Sequence, residues 1–190
     1  MIEPAPDGAP MGEAEIGRDR EGGMRILVAG IGNVFLRDDA FGVEVVSRLA
    51  SHAFPEGVEV VDVGIRGVHL AYQLLDGYDA LVLVDAMPLG DVPGTLALVA
   101  AELPEAPAPG DEPAPTLEAH SMTPATVLDM LAGLGGRVGQ TFIVGCQPLD
   151  VGEGMDLSPP VAAAVEPAAE MVISLVDELL LAVPQEEMKA

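Results

Sequence analysis

From Arg25 onward, short apolar runs alternate with longer amphipathic ones. RILVAG (25–30), VEVVDV (58–63), ALVLVDA (80–86), TLALVA (95–100) and 141–145 are rich in Val, Ile and Leu and bounded by turn residues, which predicts strands. Helical spacing of apolar positions predicts helices over 41–51, 68–75 and 124–134, and a long one over 159–182. Ser158 followed by Pro159 supplies a cap and a first turn for the last helix. Strands separated by such helices form right-handed βαβ units and a parallel sheet covered on both faces. The run 95–100 departs from this rule, because the PLGDVPG turn before it is too short for a crossover helix. It predicts an antiparallel edge strand. The expected fold is α/β: three α/β/α layers around a mainly parallel twisted sheet of about five strands.

The flanking segments have a different composition. Residues 1–23 are rich in Ala, Pro, Gly and Glu, with too few large apolar groups to offset their ordering entropy, and predict a flexible acidic tail. Met24 is a candidate start of the folded part. Residues 102–118 carry five acidic residues, five prolines and no basic residue, which predicts a solvated loop inside a single domain over 24–184, followed by a tail over 185–190. A length of 190 residues with 49% hydrophobic side chains suits one core and no second domain.

Charge narrows the partners. With 31 acidic against 8 basic residues the formal charge is −23, which repels nucleic acid and anionic membranes. The lone Cys146 can form no internal disulfide, and no Cys/His cluster marks a structural zinc site, so a reducing cytoplasm is expected. No apolar run of about 20 residues predicts a spanning helix, and the N-terminus lacks signal-peptide features.

In open α/β sheets ligands bind at the carboxyl ends of the strands. Asp38 and Asp39 follow the first strand, Asp85 ends the third, and His120 precedes a helix. Two carboxylates and an imidazole form a donor set for a divalent metal with an open position. Each also has a simpler reading: Asp39 as a helix cap, His120 as a surface residue. Asp85 resists one, because an aspartate closing the run LVLV is desolvated unless something pairs with it. His52 and His69 lie near or within helices and are weaker candidates.

Other chemistries fit less well. GIGN with Asp62 resembles a dinucleotide fingerprint, but Phe35 stands where a third glycine belongs, and Asp38 and Asp39 would repel a pyrophosphate. Gly30 and Gly32 are then read as a tight turn. There is no GxSxG elbow, and Cys146 behind FIVG reads as a small core residue, leaving a Cys146–His120 dyad as a minor alternative. The glycines of GIRG (64–67) let a substrate approach the backbone, so its amides are candidates for an oxyanion site.

In order along the chain, GIGNVFLRDDAFGVEVV, GIRG, LVLVDAM, the His120 segment, GCQP and LSPPV resemble the hydrogenase maturation proteases. The resemblance runs from about 25 to 180 and implies a metal-recognising site built from Asp39, Asp85 and His120. Asp39 and Asp85 would also be the catalytic carboxylates. The family commonly has the longer glutamate at the position of Asp39, which leaves Asp38 as a second candidate. The resemblance implies an endopeptidase that removes the C-terminal extension of a nickel-containing hydrogenase large-subunit precursor after nickel insertion. The nickel belongs to the substrate, or another divalent metal occupies the same site. Water would be activated by the metal or by a carboxylate base. The alternative is a non-catalytic metal-sensing docking module for hydrogenase assembly, which needs the same ligands. The negative charge further implies a basic docking face on the partner.

Overall fold

The computed structural model describes residues 23–101 and 124–182. The expected tails (apart from Gly23), the Pro-rich loop 102–118 and His120 lie outside the described residues. The chain runs β1 (Ile26–Ile31), a 3-10 turn (Arg37–Ala40), α1 (Phe41–Leu49), β2 (Val58–Gly64), α2 (Gly67–Leu74), β3 (Ala80–Ala86), β4 (Leu96–Ala101), α3 (Pro124–Gly133), β5 (Gln140–Cys146) and α4 (Pro159–Leu181). The sheet order is β2-β1-β3-β5-β4. β2, β1, β3 and β5 are parallel, and β4 pairs antiparallel with β5 at the edge, Leu96 opposite Cys146 and Ala101 opposite Thr141. The expected three-layer fold and the antiparallel edge strand are both present. The 3-10 turn was not expected.

β1 and β3 lie at the middle of the sheet and are buried on both faces, which is why they read as unbroken apolar runs. Ile26, Val28, Val82 and Val84 pack with Phe41, Val45, Leu49, Val172 and Val176 under α1 and α4. Leu27, Ala29, Leu81 and Leu83 pack with Leu70, Leu74, Val127 and Leu131 under α2 and α3. Each such side chain contributes about 1.5–3 kcal/mol on burial. α4, at 23 residues, is long and apolar enough by length and composition to cross a bilayer, which corrects the expectation that no run reaches that length. Its Val161, Ala164, Ala168, Val172, Val176 and Leu179 are buried in the α1/α4 core.

Gly30 is a glycine for a different reason from the expected turn. A Cβ there would meet the Gly42 carbonyl oxygen at 2.3 Å, and one on Gly42 would meet the carbonyl oxygens of Val84 at 2.1 Å and Ile31 at 2.3 Å. The two glycines let the first turn of α1 lie against the ends of β1 and β3. That contact sets how closely the segment carrying Asp38 and Asp39 approaches the sheet.

Asp38 is fully buried. Its Oδ2 accepts from the Leu149 N–H (2.8 Å), the Asp150 N–H (2.9 Å) and the Ser158 hydroxyl (2.8 Å), and its Oδ1 from the Ser158 N–H (2.6 Å). One carboxylate thereby joins the loop after β1 to the loop after β5 and to the start of α4. Ser158 does occupy the cap position of α4, but its hydroxyl serves Asp38 and makes no cap bond, contrary to the sequence reading. Desolvation pushes the Asp38 carboxyl up, yet the Ser158 and Asp150 N–H groups, the Ser158 hydroxyl and the Leu149 N–H outweigh it and hold the pKa below the ordinary value.

Asp38→Ala is expected to lower stability by about 3–5 kcal/mol at neutral pH, because it strands four buried donors. A carboxyl with a depressed folded pKa stabilises above its unfolded value of about 3.9 and loses that contribution as pH falls through the folded value. The gap between variant and parent in urea unfolding should therefore be wide at neutral pH and narrow below about pH 4. A constant gap would show that charge plays no part.

Candidate active site

Asp85 is the penultimate residue of β3, paired in register with Gly145 of β5. Val84 belongs to the α1/α4 core, so strand alternation turns Asp85 toward the α2/α3 side at the carboxyl end of the sheet. Only 7% of it is exposed. Burial pushes its carboxyl up to about 8, the nearby Asp39 charge pushes the same way, and the Ala86 N–H partly offsets both. Asp85 therefore holds a proton at neutral pH. The sequence reading that this aspartate is desolvated holds in the structure.

Asp39 comes from the 3-10 turn and is half-buried. It caps no helix: α1 has Ala40 at its cap position, with no side-chain cap bond. Instead Asp39 Oδ2 accepts from the Asn33 N–H at 2.8 Å, while Asn33 Oδ1 accepts from the Phe35 N–H at 3.0 Å. Asp39 Oδ1 has no hydrogen-bond partner among the described residues. Gly32 makes this loop possible, with φ +143° and the Asp39 carbonyl oxygen 1.8 Å from where a Cβ would lie. Asn33 is a site residue that the sequence reading missed, although an Asn after a glycine pair is a signal for a side chain folding onto its own turn.

The two adjacent aspartates thus part company. Asp38 has its carboxylate oxygens engaged by four internal donors, whereas Asp39 accepts from the Asn33 N–H alone among the described residues. Arg37 before them is the single non-glycine residue with positive φ (45°) among the described residues, and its Nε contacts the Glu153 carbonyl and an Asp150 carboxylate oxygen, each at 3.3 Å. A non-glycine residue in this region is sustained by its surroundings and is common at functional sites.

The other candidates have different surroundings. Cys146 is fully buried, and burial together with the Asp38 charge pushes its thiol up to about 11, so it is no nucleophile at neutral pH. His52 stacks edge-on against Phe54 at 4.5 Å, and His69 lies on the exposed side of α2. Asp62 is exposed at the end of β2. In GIRG the Arg66 N–H is taken by the Val63 carbonyl at 3.0 Å, which removes one amide from the expected oxyanion site. Among the described residues no three His, Cys, Asp or Glu side chains assemble into a metal site. The structure brings together two of the three expected ligands, and both offer the hard oxygen donors that divalent ions accept.

The raised Asp85 pKa has a consequence for stability. Between the unfolded carboxyl value of about 4 and about 8 the native state holds more protons than the unfolded one, so stability falls as pH rises through that window. Asp85→Asn removes the buried charge, and its melting temperature should exceed the parent's by about 3 °C or more near pH 8.5. The difference should shrink near pH 5. Equal melting curves at both values would mean that Asp85 is ionised throughout.

Comparison with known proteins bears on this geometry. The profile of the family described as hydrogenase maturation protease matches residues 43–175, a span that includes Asp85 and His120. The hydrogenase expression/formation protein HupM of Azotobacter chroococcum mcd 1 is 34% identical over 164 residues, covering 85% of this chain and 76% of that protein. The hydrogenase 2 maturation protease of Escherichia coli (strain K12) is 32% identical over 171 residues, covering 86% of this chain and 98% of the relative. Among solved structures, the hydrogenase maturating endopeptidase HybD from E. coli superposes with a TM-score of 0.65 at 33% identity, over 82% of this chain and 93% of that one. A chain with this sheet, these carboxylates at its carboxyl edge and these relatives belongs to the hydrogenase maturation protease family and is a peptidase.

Proposed function

We propose that this peptidase removes the C-terminal extension of a nickel-containing hydrogenase large-subunit precursor once nickel has been inserted. The observation that carries the reading is Asp85, buried at the carboxyl end of β3 within reach of the charge of Asp39, which Asn33 holds. The name of the E. coli relative, hydrogenase 2 maturation protease, supports the substrate class. Membership in a peptidase family favours cleavage over the alternative of a non-catalytic docking module.

In this reading nickel is part of the substrate. Nickel held by thiolates of the precursor would take oxygen donors from Asp39 and Asp85 and a nitrogen donor from His120, bridging the two proteins only when the precursor is loaded. His120 lies four residues before Pro124, where α3 begins. α3 leads directly into β5, whose first residue Gln140 pairs with Ala80 at the start of β3, so α3 starts toward the carboxyl end of the sheet. That supports His120 as the third donor.

When Asp85 becomes a ligand it gives up its proton, so docking below about pH 8 releases one. In the hydrolysis that follows, a water proton passes to a carboxylate oxygen of the pair and the water oxygen adds to the scissile carbonyl carbon. The carbon–nitrogen bond then breaks, and the same proton is delivered to the departing amine. Two neighbouring carboxylates support this aspartyl-type route, with activation of the water by the substrate's metal as the alternative. A cytoplasmic location is proposed with it, since the one cysteine of the chain is a buried thiol and a nickel–thiolate substrate needs a reducing compartment.

Intact-mass analysis of nickel-loaded and nickel-free precursor after incubation with the protein tests the reading. Loss of a C-terminal peptide from the loaded form alone is expected, with Asp85→Ala and Asp39→Ala slower by about a hundredfold or more. Cleavage by Asp85→Ala at the parental rate would overturn it.

A further inference from the structure

Beside the carboxylate pair the surface leaves large apolar side chains uncovered. Phe35 is 63% exposed, Leu149 59%, Val151 51% and Met155 70%. They stand on two loops, 32–36 after β1 and 147–158 after β5, which lead into α1 and α4 on one face of the sheet. The loops are stitched backbone to backbone: the Gly154 N–H donates to the Phe35 carbonyl (2.9 Å), the Arg37 N–H to the Gly154 carbonyl (3.0 Å) and the Asp38 N–H to the Asp150 carbonyl (3.1 Å). The Asp38 carboxylate fastens them again from below. The platform is therefore ordered before any partner arrives, which lowers the entropy lost on binding. Exposed apolar side chains gathered on one ordered patch mark an interaction site.

Its fringe is acidic. Asp150, Glu153 and Asp156 are exposed on the loop after β5, and Arg37 is a cation already paired with Asp150 at 3.3 Å. A second copy of this chain, at a formal charge of −23, would bring the same fringe against it. We propose that this platform docks a segment of the precursor in which large apolar side chains adjoin Lys or Arg, so that substrate choice is made by Phe35, Met155, Leu149 and Val151 while chemistry is done by the neighbouring aspartates. The inference rests on the proposed cleavage of a protein precursor and adds where that precursor is held.

The test measures binding separately from cleavage. Nickel-loaded large-subunit precursor from the same cell, with its C-terminal extension intact, is immobilised, and the full chain is passed over it. Phe35→Ser/Met155→Ser should bind about tenfold or more weakly, raising KM in the cleavage assay while leaving kcat near the parental value. Tyr72→Ser, exposed on α2 in the opposite helical layer, should bind like the parent. Glu153→Gln should flatten the fall of the association rate with salt. Parental binding by the double variant, or equal weakening by Tyr72→Ser, would overturn the platform. So would a parental dimer in sedimentation that the double variant abolishes, since the occupant is then a second copy. Weakened binding by the double variant with no cleavage by any protein would uphold the platform and remove the proposed activity.

Discussion

The arrangement of this protein's functional edge depends on one buried carboxylate. Asp38 sits in a shell of donors supplied by residues more than a hundred positions away, and those bonds stabilise its ionised form enough to overcome desolvation. That charge adds to the backbone hydrogen bonds and the Arg37–Asp150 ion pair that already join the loops after β1 and β5, whose outward side chains leave apolar surface in water. The same 3-10 turn carries Arg37, in a left-handed conformation, and Asp39 on either side of this anchored residue. The close seating of α1 on the sheet through Gly30 and Gly42 acts in the same direction, because it fixes the height at which the turn leaves the strand layer.

Three carboxylates within this small region have three electrostatic situations. Asp38 is surrounded by hydrogen-bond donors and stays charged. Asp85 is surrounded by the apolar ends of strands and by the charge of Asp39, and stays neutral until about pH 8. Asp39 is half in solvent and held by one backbone amide. Environment alone separates a structural anion, Asp38, from a proton-holding acid, Asp85. Asp39 and Asp85 offer a cation hard oxygen donors, at the cost of displacing the Asp85 proton. Affinity for a divalent ion should accordingly be coupled to pH.

The exposed apolar side chains follow from the same organisation. A loop held by its backbone and by a carboxylate does not need its side chains for its own stability, so Phe35, Leu149, Val151 and Met155 can be directed outward. Placing apolar contact area on a preordered, acid-fringed surface separates recognition from chemistry, and lets the two be altered independently.

Much of this was legible in the residues. Unbroken apolar runs at 80–84 and 26–31 declare central strands, the short PLGDVPG link declares an antiparallel edge in place of a crossover, and an aspartate closing LVLV declares a desolvated acid. Those conclusions depend on local period and on burial, which a one-dimensional pattern encodes. The pattern did not separate Asp38 from Asp39, reveal that Ser158 serves a distant carboxylate in place of its own helix, or explain that Gly30 makes room for α1. Each of these depends on a partner far along the chain, and hydrogen-bond donors that converge across the fold leave no periodic trace in sequence. The sequence by itself determined the layers, the mainly parallel character of the sheet and which acid would be buried at the end of β3. Only the tertiary structure decided which acid is spent on holding the fold and which stays within reach of Asp85, because that depends on where the loop after β5 returns to meet the loop after β1.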